Sequence, residues 1–167
     1  MKPLQVSDVI DCLERTPVIL THLLEQIPST LIRVRRREGK WCIHEQVCHL
    51  VEARGILMGR FRQFEERDDP LIEPYHPPAD RSADHYLQQI LATELSRFAE
   101  LRTQMVATLR AFPDAYWQRT GRHTGFTPYS ARILLTHALK VDYAHLFSIE
   151  QLGLTKPGLE ADIISVP

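Results

Sequence analysis

The chain has 167 residues, a formal net charge of −1, 44% hydrophobic and 25% charged residues. That length suits one globular domain, taken as residues 1–167, and the composition excludes a disordered chain. The near-neutral balance argues against a general nucleic-acid binder, and no apolar run reaches the ~18 residues of a membrane span. The three cysteines (Cys12, Cys42, Cys48) form no C-x-x-C pattern, and the N-terminal stretch lacks an apolar signal core. Both features point to a cytoplasmic protein without a disulfide framework.

Four segments carry helical periodicity. The first is expected from about Ser7 to Gln26, with Val9, Leu13, Leu20, Leu23 and Leu24 on its apolar stripe and Ser7 as its N-cap. Pro17 inside it predicts a kink or break. A basic cluster follows (Arg33, Arg35, Arg36, Arg37, Lys40), read as a solvated loop rather than an anion site.

The second helix is expected from Ile43 to Arg67, where Ile43, Val47, Leu50, Leu57, Phe61 and Phe64 step by threes and fours. The third is expected from Ser82, as its cap, to Phe112, with Pro113 stopping it. The fourth is expected from Pro128 to Leu152, with Thr127–Pro128 as cap and first residue and Gly153 as terminator. The connections are long enough to permit a crossover, and no alternating strand pattern is visible.

Chemistry concentrates in eight histidines: His22, His44, His49, His76, His85, His123, His137 and His145. A histidine on an apolar helical face is more often a hydrogen-bonded core residue than a ligand. His137 and His145 are eight positions apart, about 12 Å along a helix axis, too far to share one ion easily. His49 with one of them is the workable pair. Asp142, one turn before His145, is a candidate ligand or orienting group. Glu45 and Glu52 read as exposed carboxylates, and Arg54 and Arg60 as surface cations open to an anionic substrate. Cys48 points about 100° away from His49 around the helix and is not read as a nucleophile.

The segments Trp41-x7-His49-Leu50 and GRHTGFTPYSARILLTHALKVDYAHLFSI together resemble the second-helix and last-helix signatures of the DinB/YfiT-like superfamily. The resemblance spans residues 5–152 and implies an all-α four-helix bundle of up-down-down-up topology, of bacterial origin, in which a homodimer is open to the fold. It also implies a divalent ion, nickel or zinc, held by three histidines at positions 49, 141 and 145. Here position 141 is Val141, so His49 and His145 remain as metal ligands. His137, His123 and Asp142 are the candidates for an additional ligand or orienting role. Ser148 stands where glutamine is common.

Two functions follow. One is a metal-dependent hydrolase or thiol S-transferase acting on a small-molecule or thiol substrate. The other is a non-enzymatic, metal-free bundle that binds a small molecule or a partner, in which Val141 extends the core.

Overall fold

The first helical segment forms α1, Val6–Glu25, and it is unbroken at Pro17. Pro17 has no N–H to offer the Leu13 carbonyl, and the Thr16 hydroxyl lies 2.9 Å from that oxygen instead. The helix therefore runs through Pro17 without a break. The entry to α1 is held by the Gln5 amide donating to Asp8 Oδ2 at 2.8 Å.

The second helix, α2, spans Ile43–Glu66, close to expectation. Its cap is a Cys42–Glu45 box, with the Cys42 amide donating to Glu45 Oε2 at 2.9 Å. The third, α3, spans Leu91–Ala111 and starts nine residues after the expected Ser82. Ser82 instead closes a turn with the Asp84 amide, a short 3-10 helix covers Tyr86–Gln88, and Ile90 is extended. Tyr86 is buried against α2, and this tertiary contact overrides the local periodicity.

The fourth, α4, spans Ala131–Leu154. Thr127–Pro128 does not start it: that peptide bond is cis and lies in a strand, and Ser130 caps the helix by accepting from the Ile133 amide. Gly153 does not end it either, because it is helical and packs against Ile27, whose side chain would collide with any Cβ there.

A small sheet corrects the strand-free expectation. The strands are β1 Leu71–Ile72, β2 Thr120–His123 and β3 Phe126–Ser130. β1 runs parallel to β2, and β2 pairs antiparallel with β3 with an irregularity between Gly121 and His123. Runs of two to five residues are too short to show a two-residue period in sequence.

Helix directions follow from pairs of ends. Arg132 at the start of α4 reaches the Leu4 carbonyl beside the start of α1, so these helices run parallel. Arg110, near the end of α3, pairs with Asp11 and Glu14 near the start of α1, so α3 is antiparallel to α1. Tyr116, just past α3, donates to the Phe61 carbonyl near the end of α2, so α2 and α3 run together. The bundle is up-down-down-up, and the segment from α2 to α3 crosses its full length.

Two apolar clusters form the core. Leu13, Leu57, Phe61, Met105, Leu109 and Leu134 belong to one. Leu20, Ile43, Leu50, Phe98, Ile149 and Leu152 belong to the other. Each such side chain stabilises by about 1.5–3 kcal/mol when fully buried. Between the clusters, Arg102 Nη2 donates to Asp142 Oδ2 at 2.6 Å, and the Thr16 hydroxyl lies 2.8 Å from the same oxygen.

The basic cluster is not a simple solvated loop. Arg35 donates twice to the fully buried Glu45, at 2.9 and 2.5 Å, and pairs with Asp84. Arg36 donates to the carbonyls of Leu152, Thr155 and Gln151 at 2.7, 3.1 and 3.2 Å, supplying a cation to the C-terminus of α4. The computed structural model describes residues 4–156, so both ends of the expected 1–167 domain lie outside the described residues. Among the described residues no helix is long and apolar enough to cross a membrane.

Candidate functional site

The Cys42–Glu45 cap, anchored by Arg35, fixes where α2 begins and so places Trp41, Gln46 and His49. Antiparallel α4 brings His145 opposite them. The His49 and His145 ring centroids are 4.9 Å apart, and Trp41 lies 4.7 Å from the first and 6.4 Å from the second. Both histidines are buried.

The hydrogen bonds around the pair assign its protons. Glu52 accepts from Arg81 at 2.7 and 2.9 Å, from Tyr86 at 2.5 Å, and from Tyr75. Burial acts to raise the Glu52 carboxyl, but the bonds from Arg81, Tyr75 and Tyr86 outweigh it and hold it down to about 2. Glu52 is therefore ionised and takes the single Tyr86 proton. The Tyr86 oxygen, 2.8 Å from His49 Nδ1, must then accept from Nδ1–H. This leaves the lone pair of His49 on Nε2.

His145 reaches the same state by another route. Its Nδ1 lies 2.5 Å from Gln46 Oε1, an acceptor, so Nδ1 carries the proton. Its Nε2 is buried and has no hydrogen-bond partner among the described residues. Burial pushes His49 down to about 4, against the pull of Glu52. Burial and the neighbouring His49 push His145 down to about 3. Both rings are thus neutral at physiological pH with Nε2 unprotonated, the form in which imidazole ligates a cation.

Several of these residues carry no clear signal in the sequence. Glu52 and Glu45, expected as exposed carboxylates, hold a relay and a helix cap. Gln46 stands three positions before His49 on the same helix, a spacing that marks a shared face. Tyr86 is brought in by the crossover, and nothing in its neighbourhood announces it. His44 fastens Tyr86 in turn: its Nε2–H donates to the Tyr86 carbonyl at 3.1 Å while Nδ1 accepts from Arg33 at 3.3 Å.

The other expected site residues lie elsewhere. Asp142 is turned to Arg102 and Thr16, and Gln46 takes the orienting role for His145. His137 packs 5.5 Å from Phe126, and His123 packs 4.8 Å from Phe126 and Tyr129. Val141 lines a groove of about 430 Å³ with His137 and Lys140. Arg60 donates to the Glu73 carbonyl, and Arg54 is half-buried with its Nε unpartnered among the described residues. Burial pushes the thiols of Cys42 and Cys48 up to about 11 and about 12, so both are protonated and weakly nucleophilic.

Among the described residues no group of three or more His, Cys, Asp or Glu is arranged to hold a metal. The donors fit a divalent ion in type and tautomer at two positions, and His145 Nε2 is buried without a hydrogen-bond partner among the described residues. Val141, where the resemblance implies a third histidine, has a hydrocarbon side chain that cannot ligate a metal.

No curated protein matches the chain. Among solved structures it is similar to YfiT from Bacillus subtilis, described as a probable metal-dependent hydrolase with an unusual four-helix bundle topology. The two share 22% identity with a TM-score of 0.70, over 90% of this chain and 92% of that one, and the likeness carries the fold. The DinB superfamily matches residues 13–147, and with the up-down-down-up bundle already in place, the chain belongs to the DinB superfamily.

Proposed function

We propose that the protein is a metal-dependent enzyme, a hydrolase or thiol transferase in class, whose centre rests on His49 and His145 and is completed by atoms the substrate brings. The observation that supports this reading is the matched state of the two rings. Each donates Nδ1–H to a fixed acceptor and keeps its Nε2 lone pair. A divalent ion such as nickel or zinc, when bound, would polarise a substrate carbonyl or lower the pKa of a bound water or thiol. The residues of the chain perform the rest. Arg81 and Glu52 hold Tyr86, Tyr86 holds His49, Gln46 holds His145, and the Trp41 indole shields both rings from water.

One observation favours a second reading. Neither the groove beside Arg60 nor the groove beside Val141 is lined by His49 or His145, and Trp41 packs against both rings. The pair would then be a closed polar element of a metal-free binding bundle.

Zinc and nickel affinity of the untagged protein, measured by competition with a chromophoric chelator with and without 2-mercaptoethanol, separates the readings. The proposal expects the thiol to tighten metal binding by at least about tenfold. It also expects Val141→His to tighten thiol-free binding by at least as much, and His49→Ala or His145→Ala to abolish both gains. No gain from either the thiol or Val141→His would overturn it.

A further inference from the structure

A groove of about 550 Å³ runs between α2 and the start of the crossover, apart from the imidazole pair. Its volume is that of a small-molecule site. Arg60 on α2 and Arg67, the extended residue just past its end, line it, with Ile56, Leu71 and Pro74 as its apolar wall.

The two arginines of this groove have no carboxylate partner among the described residues, a state they share with Arg15 and Arg62, whereas Arg110, Arg119 and Arg122 each meet a carboxylate. Arg60 donates only to the backbone carbonyl of Glu73, and no ion pair engages Arg67 among the described residues. Glu73 also lines the groove, yet its carboxylate pairs with neither guanidinium. The floor includes Gly59, where a Cβ would meet nothing within 4 Å. At one edge stands Tyr75, whose hydroxyl donates to Glu52, the base of the relay that ends on His49.

We infer that this groove binds a small organic anion, its carboxylate or phosphate held by Arg60 and Arg67 and its apolar stem covered by Ile56, Leu71 and Pro74. The anion's being the substrate of the imidazole centre rests on the function proposed above, whereas its binding does not. Tyr75 would carry contact with the ligand to Glu52, and from there through Tyr86 to His49.

The test uses the full chain in EDTA, titrated with hexanoate, hexyl phosphate and hexanol while backbone amide shifts are followed by NMR. The anionic probes should bind, with perturbations around Arg60 and Tyr75, and hexanol should bind at least about tenfold more weakly. Whichever anion binds more tightly identifies the headgroup. Gly59→Leu fills the floor without meeting a neighbour at its Cβ and improves helix propensity. It should keep the melting temperature and lose both anions. Arg67→Gln, at an exposed position, should weaken them by about tenfold and serves if Gly59→Leu fails to fold. Hexanol binding as tightly as hexanoate, no anion binding, or full binding by folded Gly59→Leu would overturn the proposal. With chelator present, failure here leaves the metal reading standing, and failure of the metal reading leaves this one standing.

Discussion

Two pairs of histidines, His49 with His145 on α2 and α4 and His123 with His137 on β2 and α4, differ in their surroundings. In the first pair, His49 and His145 each donate Nδ1–H to a fixed acceptor, so Nε2 keeps the lone pair. In the second, the His123 Nδ1 accepts from the Gly125 amide at 2.9 Å, which places its proton on Nε2. His137 beside it is packed on Phe126. The second pair spends its lone pair or its face on local structure, whereas the first keeps lone pairs in reserve. The hydrogen-bond partner of the remote nitrogen, more than the number of imidazoles, distinguishes a ligand from a core residue.

The largest consequence of this contrast is acid sensitivity in the metal-free protein. His49 and His145 are depressed to about 4 and about 3 from 6.5. The unfolded chain therefore binds protons below pH 6.5 that the native state refuses. Their stabilisation is complete above that pH and is lost as pH falls toward the folded values. Between pH 7.5 and 5 this amounts to about 2 kcal/mol per imidazole. Urea denaturation in EDTA at the two pH values should show it, and His145→Asn should remove about half. For His123→Asn the loss should be close to wild type, because that ring is far less enclosed. Equal acid sensitivity in the two variants would erase the contrast.

A smaller effect comes from the relay. Tyr86→Phe leaves Glu52 with Arg81 and Tyr75 but takes the acceptor from His49 Nδ1. Metal affinity in the presence of thiol should fall by about tenfold, the usual scale for an orienting partner. His123→Ala and His137→Ala should leave it within about twofold, which the same chelator competition can resolve. A loss in either of these matching that of Tyr86→Phe would show that the second pair belongs to the metal site.

The four amphipathic stripes made the bundle legible in the sequence, and α2 was legible almost to the residue. The errors occur where a tertiary contact or backbone geometry overrides a local signal. Ser82 looks like a cap, but burying Tyr86 delays α3 to Leu91. Thr127–Pro128 looks like a helix start, but it is spent in β3, and Ser130 caps the helix. Gly153 looks like a terminator, but it makes room for Ile27. His49 was legible as a histidine on an inward helical face, whereas its pairing with His145 rather than His137 came from the resemblance to the family. Gln46, Glu52, Arg81 and Tyr86 were not legible, because their roles depend on tertiary packing that brings residues 29 to 99 positions apart into hydrogen-bond contact. Arg36 was missed for the same reason: its acceptors are carbonyls more than 100 residues away.

The account stands on the proton positions in two rings. Nitrogen-15 NMR of the histidine side chains at neutral pH, in metal-free protein, reads them directly. Both His49 and His145 should show a protonated Nδ1 and an unprotonated Nε2, and added zinc with thiol should shift the Nε2 signals alone. Protonation at Nε2 in either ring, or an imidazolium in either, would contradict the account.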